Sequence, residues 1–518
     1  RTMWRDVIIA ILITVTKAAT DDNVPCQSRD VGGESVVCVC DSSVCDTLSR
    51  PEALEPGSYL MYTSSKDGLR FSKSSGSAEE QPTGNQVIEV NHDNEYQTIL
   101  GFGGAFTDST GLNVAALSSS TQDYFIRSYF GGDSIEYNLC RVPIAGSDCS
   151  TRPYSYDDTE GDVVLEKFAL QDEDYNYKLP LILAANSLSE SEVKLFGSPW
   201  SPPSWMKTNG KFNESGELIK EMWQPYSNYL VKFVEAYEAQ GVPLWGLTTQ
   251  NEPLSGFEVD WEWNTCGWSA EDMRDWVKGN LGPTLVSAGL GGLIIMVDDY
   301  NRPTLPEYPA VSLNDSEASA YIDGVAVHWY SDNRPGDQTG PEVLDQTHEL
   351  FPDKFILYTE ACAGYGGDPT GKGPILGSWQ RAENYATNII EDINHHSTGW
   401  VDWNMALDLE GGPNWAGNML DAPILINKES DEFYKQPTFY AMGHFSKFVK
   451  PGSTRIDALS DDSDLWVAAF QQIDQDDVFV VTNVSEEEKL VTLSDSDKYI
   501  NLNLKPRSIN TIIYKGDH

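Results

Sequence analysis

Histidine and basic residues are scarce in this sequence. Of 518 residues only 7 are His, and 35 Lys and Arg stand against 79 Asp and Glu, a formal net charge of −44. His395 and His396 are adjacent, would point different ways on a helix and make poor co-ligands, so we predict no catalytic metal. The negative charge excludes nucleic acid as a partner, because phosphates would be repelled. The GFGG stretch at residues 101–104 lacks the spacing of a dinucleotide loop, and no cofactor is predicted.

Apolar runs long enough to cross a bilayer are also missing. The run VIIAILITVT at residues 7–16 is about half as long as a membrane helix requires. Arg1 and Arg5 precede it and small residues follow at 18–20, which is the order of a secretory signal. We therefore predict a signal peptide at residues 1–20 and a mature secretory-pathway chain without a transmembrane segment; a membrane anchor is the alternative. Without residues 1–20 the formal net charge is −46, which favours an acidic or salty working environment or, alternatively, only keeps the surface soluble.

Cysteine is limited to eight residues, and half of them crowd together near the N-terminus. Crowding of this kind in a secreted chain predicts a small disulfide-stapled module, and zinc binding is the alternative. The crowded residues are Cys26, Cys38, Cys40 and Cys45. The scattered residues Cys140, Cys149, Cys266 and Cys362 are interpreted as buried thiols. Sequons at Asn213, Asn314 and Asn483 predict a glycosylated surface.

Eight short apolar runs recur between residues 97 and 403, each followed by a helix-like stretch. The runs are TILGFGG, YNLCRVPI, VKLFGSP, LWGLTTQNE, LIIMVDD, GVAVHWY, FILYTEA and WVDWN. After the third, apolar residues from Tyr226 to Tyr237 have helical spacing, and after the fourth, Ser269 with Asp272 resembles a helix start. Strands alternating with helices indicate a parallel sheet buried on both faces, and eight such units predict a (β/α)8 TIM barrel.

The C-terminal part has a different pattern. After residue 452 the segments DLWVAAFQ, DVFVVTNV, KLVTL, YINLNL and SINTIIY are short, β-rich and separated by acidic turns. This pattern predicts an antiparallel β-sandwich, and the strand-like segments at 51–95 could complete it.

Two glutamates follow predicted barrel strands. Glu252 comes after the fourth run and Glu360 ends the seventh, and strand ends in such a barrel converge on one mouth. A pair of carboxyl groups placed in this way is typical of glycoside hydrolases. Aromatic residues at or just after strand ends could stack on a sugar, and polar groups nearby could bind its hydroxyls. The aromatic residues are Trp200, Trp205, Trp261, Trp263, Tyr330, Trp379 and Trp403, and the polar ones are Asp148, Asn251, Asn404 and His328.

Several longer motifs resemble one known family. QTILGFGGAFTD, NLCRVP, GSPWSPPSWMKTNG, TTQNEP, YTEAC and GWVDWNMALDLEGGPNW are similar to the glucosylceramidases of glycoside hydrolase family 30, the group of lysosomal acid β-glucosidase. The resemblance implies a retaining hydrolase of glucosylceramide, with Glu252 as the acid/base and Glu360 as the nucleophile. We expect their carboxyl groups about 5 to 5.5 Å apart, the separation for a covalent intermediate.

The resemblance also implies roles for neighbouring residues. Arg141 and Tyr330 match groups that keep the nucleophile ionised, and Trp261 and Trp263 lie on the aglycone rim. Positions that match glucose contacts are Asp148, Trp200, Asn251, Trp403 and Asn418, with His328 beside them. Two departures stand out: Ser147 replaces a cysteine, and Trp261 replaces a tyrosine on a rim loop.

The family pattern assigns domains and partners. It implies a disulfide-bearing sheet from residues 21–50 with about 405–436, an immunoglobulin-like sandwich from 51–95 with about 450–518, and a barrel from about 96–404 with 437–449. It pairs Cys26 with Cys38 and Cys40 with Cys45. It implies glucosylceramide at a membrane surface, a saposin-like activator, a sorting receptor and a lysosomal location, with the extracellular space as the alternative. Other functions left open are hydrolysis of another β-glycoside, such as an aryl or alkyl glucoside or a xyloside, and non-catalytic carbohydrate binding.

Overall fold

The computed structural model describes residues 23–332, 339–495 and 497–516. The predicted signal peptide lies outside these residues. Strands are numbered β1–β22 and α-helices α1–α11 along the chain. None of the helices in the described ranges is both long and apolar enough to span a bilayer.

The centre of the molecule is a closed barrel of eight parallel strands. All eight predicted runs form its strands, so the predicted TIM barrel is confirmed. The strands are β6 (Gly101–Ala105), β7 (Leu139–Ile144), β8 (Lys194–Pro199), β9 (Gly246–Thr248), β10 (Ile294–Asn301), β11 (Gly324–His328), β12 (Phe355–Glu360) and β13 (Ser397–Asn404). The fourth strand is shorter than its apolar run, so Asn251 and Glu252 follow the strand instead of ending it.

Helices surround the barrel and bury their apolar faces against it. The helices are α1 (Asp108–Ala115), α2 (Ser119–Phe130), α3 (Leu179–Leu188), α4 (Trp223–Ala239), α5 (Ala270–Trp276), α6 (Gly282–Ser287), α7 (Glu307–Leu313), α8 (Ser316–Ser319), α9 (Glu342–Leu350), α10 (Trp379–Asn394) and α11 (Pro437–Ser446). Both helices expected from the sequence are present. In α4 the predicted aromatic stripe is buried, and α5 begins where Ser269 accepts a hydrogen bond from the Asp272 amide.

The barrel interior is packed opposite the mouth by one side chain from each of six strands. These are Leu139, Phe196, Met296, Ala326, Leu357 and Val401, all with no exposed surface. The layer closes the floor of the barrel, so access to the interior is from the carboxyl ends of the strands.

A small five-stranded sheet carries the two disulfides. It consists of β1 (Ser28–Arg29), β2 (Val37–Cys40), β16 (Glu432–Lys435), β15 (Ile424–Asn427) and β14 (Ala406–Asp408), in that order, and only the β14–β15 pair is parallel. The bonds join Cys26 to Cys38 and Cys40 to Cys45, which confirms the pairing implied by the family pattern. The other four thiols are buried, as the sequence predicted.

Nine further strands form the β-sandwich. They are β3 (Ser58–Ser65), β4 (Ser72–Ser77), β5 (Gln86–Thr98), β17 (Thr454–Ala458), β18 (Leu465–Gln471), β19 (Asp476–Asn483), β20 (Lys489–Asp495), β21 (Lys498–Leu504) and β22 (Ser508–Lys515). The hydrogen-bonded order is β21-β20-β5-β17-β18-β19-β22-β3-β4. Strand β5 pairs with β20 through its first half and with β17 through its second half, so it belongs to both layers. The strands that begin within residues 51–95 therefore belong to the sandwich.

The three sequons differ in exposure. Asn314 is exposed and Asn213 is half-buried, and glycosylation at these two stays a prediction. Asn483 is fully buried, and its Nδ2 donates to the carbonyls of Glu487 and Lys505 while Oδ1 accepts from Ser485. The prediction for Asn483 is wrong for the folded chain, because Asn-Val-Ser here forms a turn that occupies the amide.

Candidate functional site

Glu252 and Glu360 lie together at the mouth of the barrel. Glu360 is the last residue of β12, and Glu252 stands four residues beyond β9. They are only 8% and 6% exposed, and one carboxylate oxygen of each lies within 4.8 Å of the other. The separation of about 5 to 5.5 Å between the two carboxyl groups stays a prediction.

The backbone conformation of Glu252 directs its side chain to the mouth. Its φ is +47°, a left-handed conformation that costs a non-glycine residue about 1 kcal/mol or more. The surrounding chain fixes this geometry: the Glu252 amide donates to the Asp299 carbonyl at 3.0 Å, and the Ser255 amide and hydroxyl both donate to the Glu252 carbonyl.

Both oxygens of Glu360 accept hydrogen bonds. Arg141, on β7, donates to Oε2 through Nη1, and Tyr330 donates to Oε1 at 2.8 Å. The guanidinium has no exposed surface, so its attraction for the carboxylate is weakly screened by solvent. These are the two residues that the family pattern places beside the nucleophile.

A buried histidine lies beneath the two glutamates. His328 Nδ1 is 3.5 Å from Glu252 Oε1 and 4.0 Å from Glu360 Oε1, while Nε2 bonds Asp299 Oδ1 at 2.9 Å. Burial alone would lower the pKa of His328, but Glu360 and Asp299 outweigh it and raise the pKa to about 10. The ring is therefore cationic, and its position indicates a supporting role for His328 under the carboxyl groups in place of the sugar contact we expected.

The two glutamates have different electrostatic surroundings. Burial raises the pKa of Glu252, and the positive charge of His328, whose Nδ1 lies 3.5 Å from Oε1, only partly offsets this effect. The negative charge of Glu360 raises the pKa of Glu252 further. Glu252 therefore keeps a proton more readily than a free glutamate, whereas Glu360 is bonded directly to a guanidinium.

Asp299 is the central buried anion of the site, and the sequence reasoning missed it. Its oxygens accept from Arg141 Nη2 at 2.7 Å and His328 Nε2 at 2.9 Å, and from two threonine hydroxyls. Although burial acts in the opposite direction, these two cations lower the pKa of Asp299 well below its ordinary range. The threonines are Thr248 and Thr359, at 2.7 and 2.6 Å.

A strand irregularity brings Asp299 into the barrel. The pairing of β10 with β11 shifts register between Asp298 and Tyr300, and both Asp298 and Asp299 have positive φ. A bulge of this kind turns one side chain inward that regular alternation would turn outward. The available signal was the acidic pair at the end of the fifth run, LIIMVDD, at the same rim as Glu252 and Glu360.

Asp148 and Asn418 meet on the other side of the mouth. Asn418 Nδ2 donates to Asp148 Oδ2 at 3.0 Å, and Asn414, which was not predicted, donates to the same oxygen at 3.1 Å. Burial raises the pKa of Asp148, and the two amides partly offset that effect. Asn251 lies on the Arg141 side, where its Oδ1 accepts from Nη2 at 2.9 Å.

The aromatic residues divide into a buried pair and a rim pair. Trp200 and Trp403 stack with ring centroids 4.9 Å apart, and each is 2% exposed. Arg141 lies 4.9 Å from the Trp200 ring centre, so the pair also packs against the guanidinium. Trp261 and Trp263 are half-buried, with centroids 4.5 Å apart, on the loop that follows Glu252.

Two of the residues expected at the sugar are engaged elsewhere. Asn404 is fully buried, where it accepts from Thr107 and donates to Cys149 Sγ, so it is not available to a hydroxyl. Trp379 opens α10, is fully buried and packs under Arg70. Both expectations were wrong, because these side chains fill the core behind the rim.

Glu252, His328 and Glu360 also form a set of residue types that bind metal ions. Ligand atoms of Glu252, His328 and Glu360 lie within 4.8 Å of one another. The charge of the site opposes that use, because the cationic His328 and Arg141 already neutralise the carboxylates. That no catalytic metal is needed stays a prediction.

Comparison with known proteins identifies the family of the chain. The model of the glycosyl hydrolase family 30 TIM-barrel domain matches residues 99–449, and that of the family 30 β-sandwich domain matches residues 452–512. A Caenorhabditis elegans protein provisionally named glucosylceramidase 3 is 43% identical over 99% of both chains. The lysosomal acid glucosylceramidase of Mus musculus is 41% identical over 91% of this chain and 92% of its own.

The chain is also similar to a solved structure whose name gives a different substrate. An endo-β-1,6-glucanase superposes with a TM-score of 0.78 at 27% identity, over 89% of this chain and 100% of its own. The sequence motifs, the eight-stranded barrel with its sandwich and the two domain matches agree, and the chain is a glycoside hydrolase that belongs to glycosyl hydrolase family 30.

Proposed function

We propose that this chain hydrolyses the β-glucosidic bond of glucosylceramide with retention of configuration. The observation that carries the proposal is the pair of carboxyl groups at the barrel mouth, whose nearest oxygens lie within 4.8 Å. Retaining enzymes hold their carboxyls about 5 to 5.5 Å apart, whereas inverting enzymes leave room for a water at about 6.5 Å or more.

The surroundings of each carboxyl decide its role. Glu360, bound by Arg141 and Tyr330, is suited to be the nucleophile because a cation and a hydroxyl stabilise its charge. Glu252, whose pKa is raised by burial and by Glu360, is suited to protonate the leaving oxygen. When Glu360 becomes esterified its charge disappears, which lowers the pKa of Glu252 and lets it act as the base toward water.

Glucose recognition is assigned to the polar groups that flank this pair. Asn251 Oδ1 is held by Arg141, so Nδ2 is the atom we propose to bond the 2-hydroxyl. Asp148, with Asn418 and Asn414 on one oxygen, is placed to accept hydroxyl protons. The edges of the Trp200 and Trp403 indoles would contact the glucose ring, since little of either indole face is exposed.

The loop after Glu252 supports a lipid aglycone. Phe257 and Val259 are 42% and 73% exposed, on the same loop as Trp261 and Trp263. Exposed apolar side chains beside a site are typical of surfaces that contact a membrane or a partner. Glu258, Asp260 and Glu262 alternate with them, so approach to an anionic membrane would require low pH or a saposin-like activator. This agrees with a lysosomal location, which the mouse relative favours.

The second candidate is hydrolysis of another β-glucoside, and the likeness to an endo-β-1,6-glucanase is the observation that favours it. The test compares kcat/KM at pH 5 on short-chain glucosylceramide, an aryl β-glucoside, an aryl β-xyloside and a β-1,6-glucan. We expect glucosylceramide to be the best substrate, with β-glucose as the first product by NMR. A higher kcat/KM on the glucan or the xyloside would show that glucosylceramide is not the preferred substrate. Release of α-glucose as the first product would refute retention of configuration.

Variants of the two glutamates test the roles assigned to them. The Glu360→Gln variant should lose turnover and retain its affinity for the ligand. The Glu252→Gln variant should hydrolyse all substrates more slowly, and the loss should be largest for substrates with poor leaving groups. Glu258→Gln is a matched control, since it changes a glutamate on the rim loop outside the carboxyl pair. A Glu360→Gln protein that still turned over glucosides would refute its assignment as the nucleophile.

A further inference from the structure

A histidine and two aspartates from three different strands meet in the β-sandwich. His92 lies on β5, Asp477 on β19 and Asp495 at the end of β20. His92 Nε2 is 3.3 Å from Asp495 Oδ1 and 3.5 Å from Asp477 Oδ2, and one ligand atom from each residue lies within 4.8 Å of the others. We call this set the sandwich cluster. It has no connection with the barrel mouth.

The burial of the two carboxylates demands compensation. Asp477 is 1% exposed and Asp495 3%, whereas the imidazole of His92 is about one quarter exposed. Among the described residues Asp477 Oδ1 has no hydrogen-bond partner although it is buried. A buried carboxylate oxygen without a partner costs about 1–3 kcal/mol, so its retention in the sandwich needs a reason.

The local charge is strongly negative. Asp476 precedes Asp477 in β19 and adds its negative charge to that of Asp495. Asp93 adds to the negative potential at His92, and Lys515 is already paired with Asp476 at 3.0 Å. The sandwich cluster therefore lies in a region of concentrated negative charge.

The distances fit a metal better than direct hydrogen bonds. Separations of 3.3 and 3.5 Å are longer than the usual N–H···O range of about 2.7–3.2 Å. Around a tetrahedral zinc ion, with ligands at about 2.0–2.2 Å, neighbouring ligand atoms are about 3.3–3.6 Å apart. A mixed nitrogen and oxygen set favours zinc over calcium or magnesium, which prefer oxygen alone.

We propose that His92, Asp477 and Asp495 form a zinc site that joins the two layers of the sandwich, with water as the fourth ligand. β5 and β20 are hydrogen-bonded neighbours, but β19 is separated from β5 by β17 and β18, so the ion links β19 to two strands with which it shares no hydrogen bonds. The sequence gives no sign of the site, because its ligands are 385 and 18 residues apart. The role is structural and is independent of the proposed reaction.

The test uses the full chain after chelator treatment and dialysis. Zinc chloride, calcium chloride and magnesium chloride are titrated at pH 7, with bound metal counted by calorimetry and unfolding followed by differential scanning fluorimetry. We expect zinc alone to bind to this site and to raise Tm by at least about 2 °C at saturation. His92→Gln and Asp477→Asn should each lose one zinc equivalent and the rise in Tm.

Asp474→Asn is the matched control, because Asp474 is a half-exposed residue of the same sandwich that pairs with Lys450. It should keep the wild-type zinc count. Two results would overturn the proposal: a wild-type chain that binds no zinc, or variants with an unchanged zinc count. A rise in Tm for Asp477→Asn without any loss of zinc would also overturn it, since the carboxylates would then share a proton in place of a metal.

Discussion

Replacement of Asp299 by asparagine tests whether one buried anion organises the catalytic cations. Asp299 accepts hydrogen bonds from Arg141, His328, Thr248 and Thr359, so every direction around its oxygens is occupied by a donor. An amide in its place turns its NH2 group toward a cationic donor, either Arg141 or His328, whichever way it rotates. It also leaves Arg141 and His328 short of one negative charge.

The expected cost follows from that geometry. Breaking a buried ion pair by removing one partner destabilises a protein by about 3–5 kcal/mol. Arg141 also holds Glu360 and Asn251, so its displacement by a fraction of an ångström should lower kcat/KM about 100-fold. Urea unfolding and aryl β-glucoside hydrolysis, both at pH 5, measure the two effects.

The neighbouring residue provides the matched control. Asp298 is equally buried, but burial raises its pKa to about 8, so it is already neutral at the assay pH, and one hydroxyl, that of Thr304, donates to it. Asp298→Asn therefore replaces one neutral group with another and should lose neither stability nor more than about threefold in kcat/KM. Equal losses in the two variants, or an Asp299→Asn protein within threefold of wild type, would refute the reasoning.

Three further predictions concern pH and specificity. His328→Gln removes a cation that lowers the pKa of Glu252, so the basic limb of the kcat/KM profile should move to higher pH, and a shift to lower pH would contradict the assigned cause. The unfolded Asp298 carboxyl ionises near pH 4, whereas the folded one keeps its proton to about pH 8, so the free energy of unfolding of the wild type falls across this window by up to about 1.4 kcal/mol per pH unit. The stability advantage of Asp298→Asn over the wild type, measured by urea unfolding, should therefore grow between pH 4 and 8. A difference that stays constant with pH would argue against a protonated Asp298. Trp261→Ala should reduce kcat/KM about threefold to tenfold for glucosylceramide and little for methyl glucoside, and an equal reduction on both would remove Trp261 from the aglycone site.

The barrel was predictable because its signals are local. Each strand is an apolar run that ends at a polar or aromatic residue, and eight runs alternating with helical segments leave few architectures. The two glutamates were predictable for the same reason, since strand ends converge on one mouth. Their expected proximity followed from the fold and the family pattern.

The residues that the sequence reasoning missed depend on local exceptions and on distant contacts. Asp299 enters the barrel through a bulge, and a bulge changes which side chains face inward without changing the apolar pattern. Asn414 reaches Asp148 across 266 residues of chain, which no spacing rule links. Asn404 and Trp379 were misjudged because a polar or aromatic residue after a strand fits a buried position as well as a rim position.

Covalent labelling of the nucleophile tests the central claim most directly. The chain is incubated with a 2-fluoro-β-glucoside that carries a good leaving group, and peptide mapping then locates the added sugar. We expect one fluoroglucosyl group per chain on Glu360, in the peptide that contains FILYTEACAG, and no label in Glu360→Gln. A label on Glu252 or on any other carboxylate, or an enzyme that turns over glucosides yet forms no adduct, would contradict it.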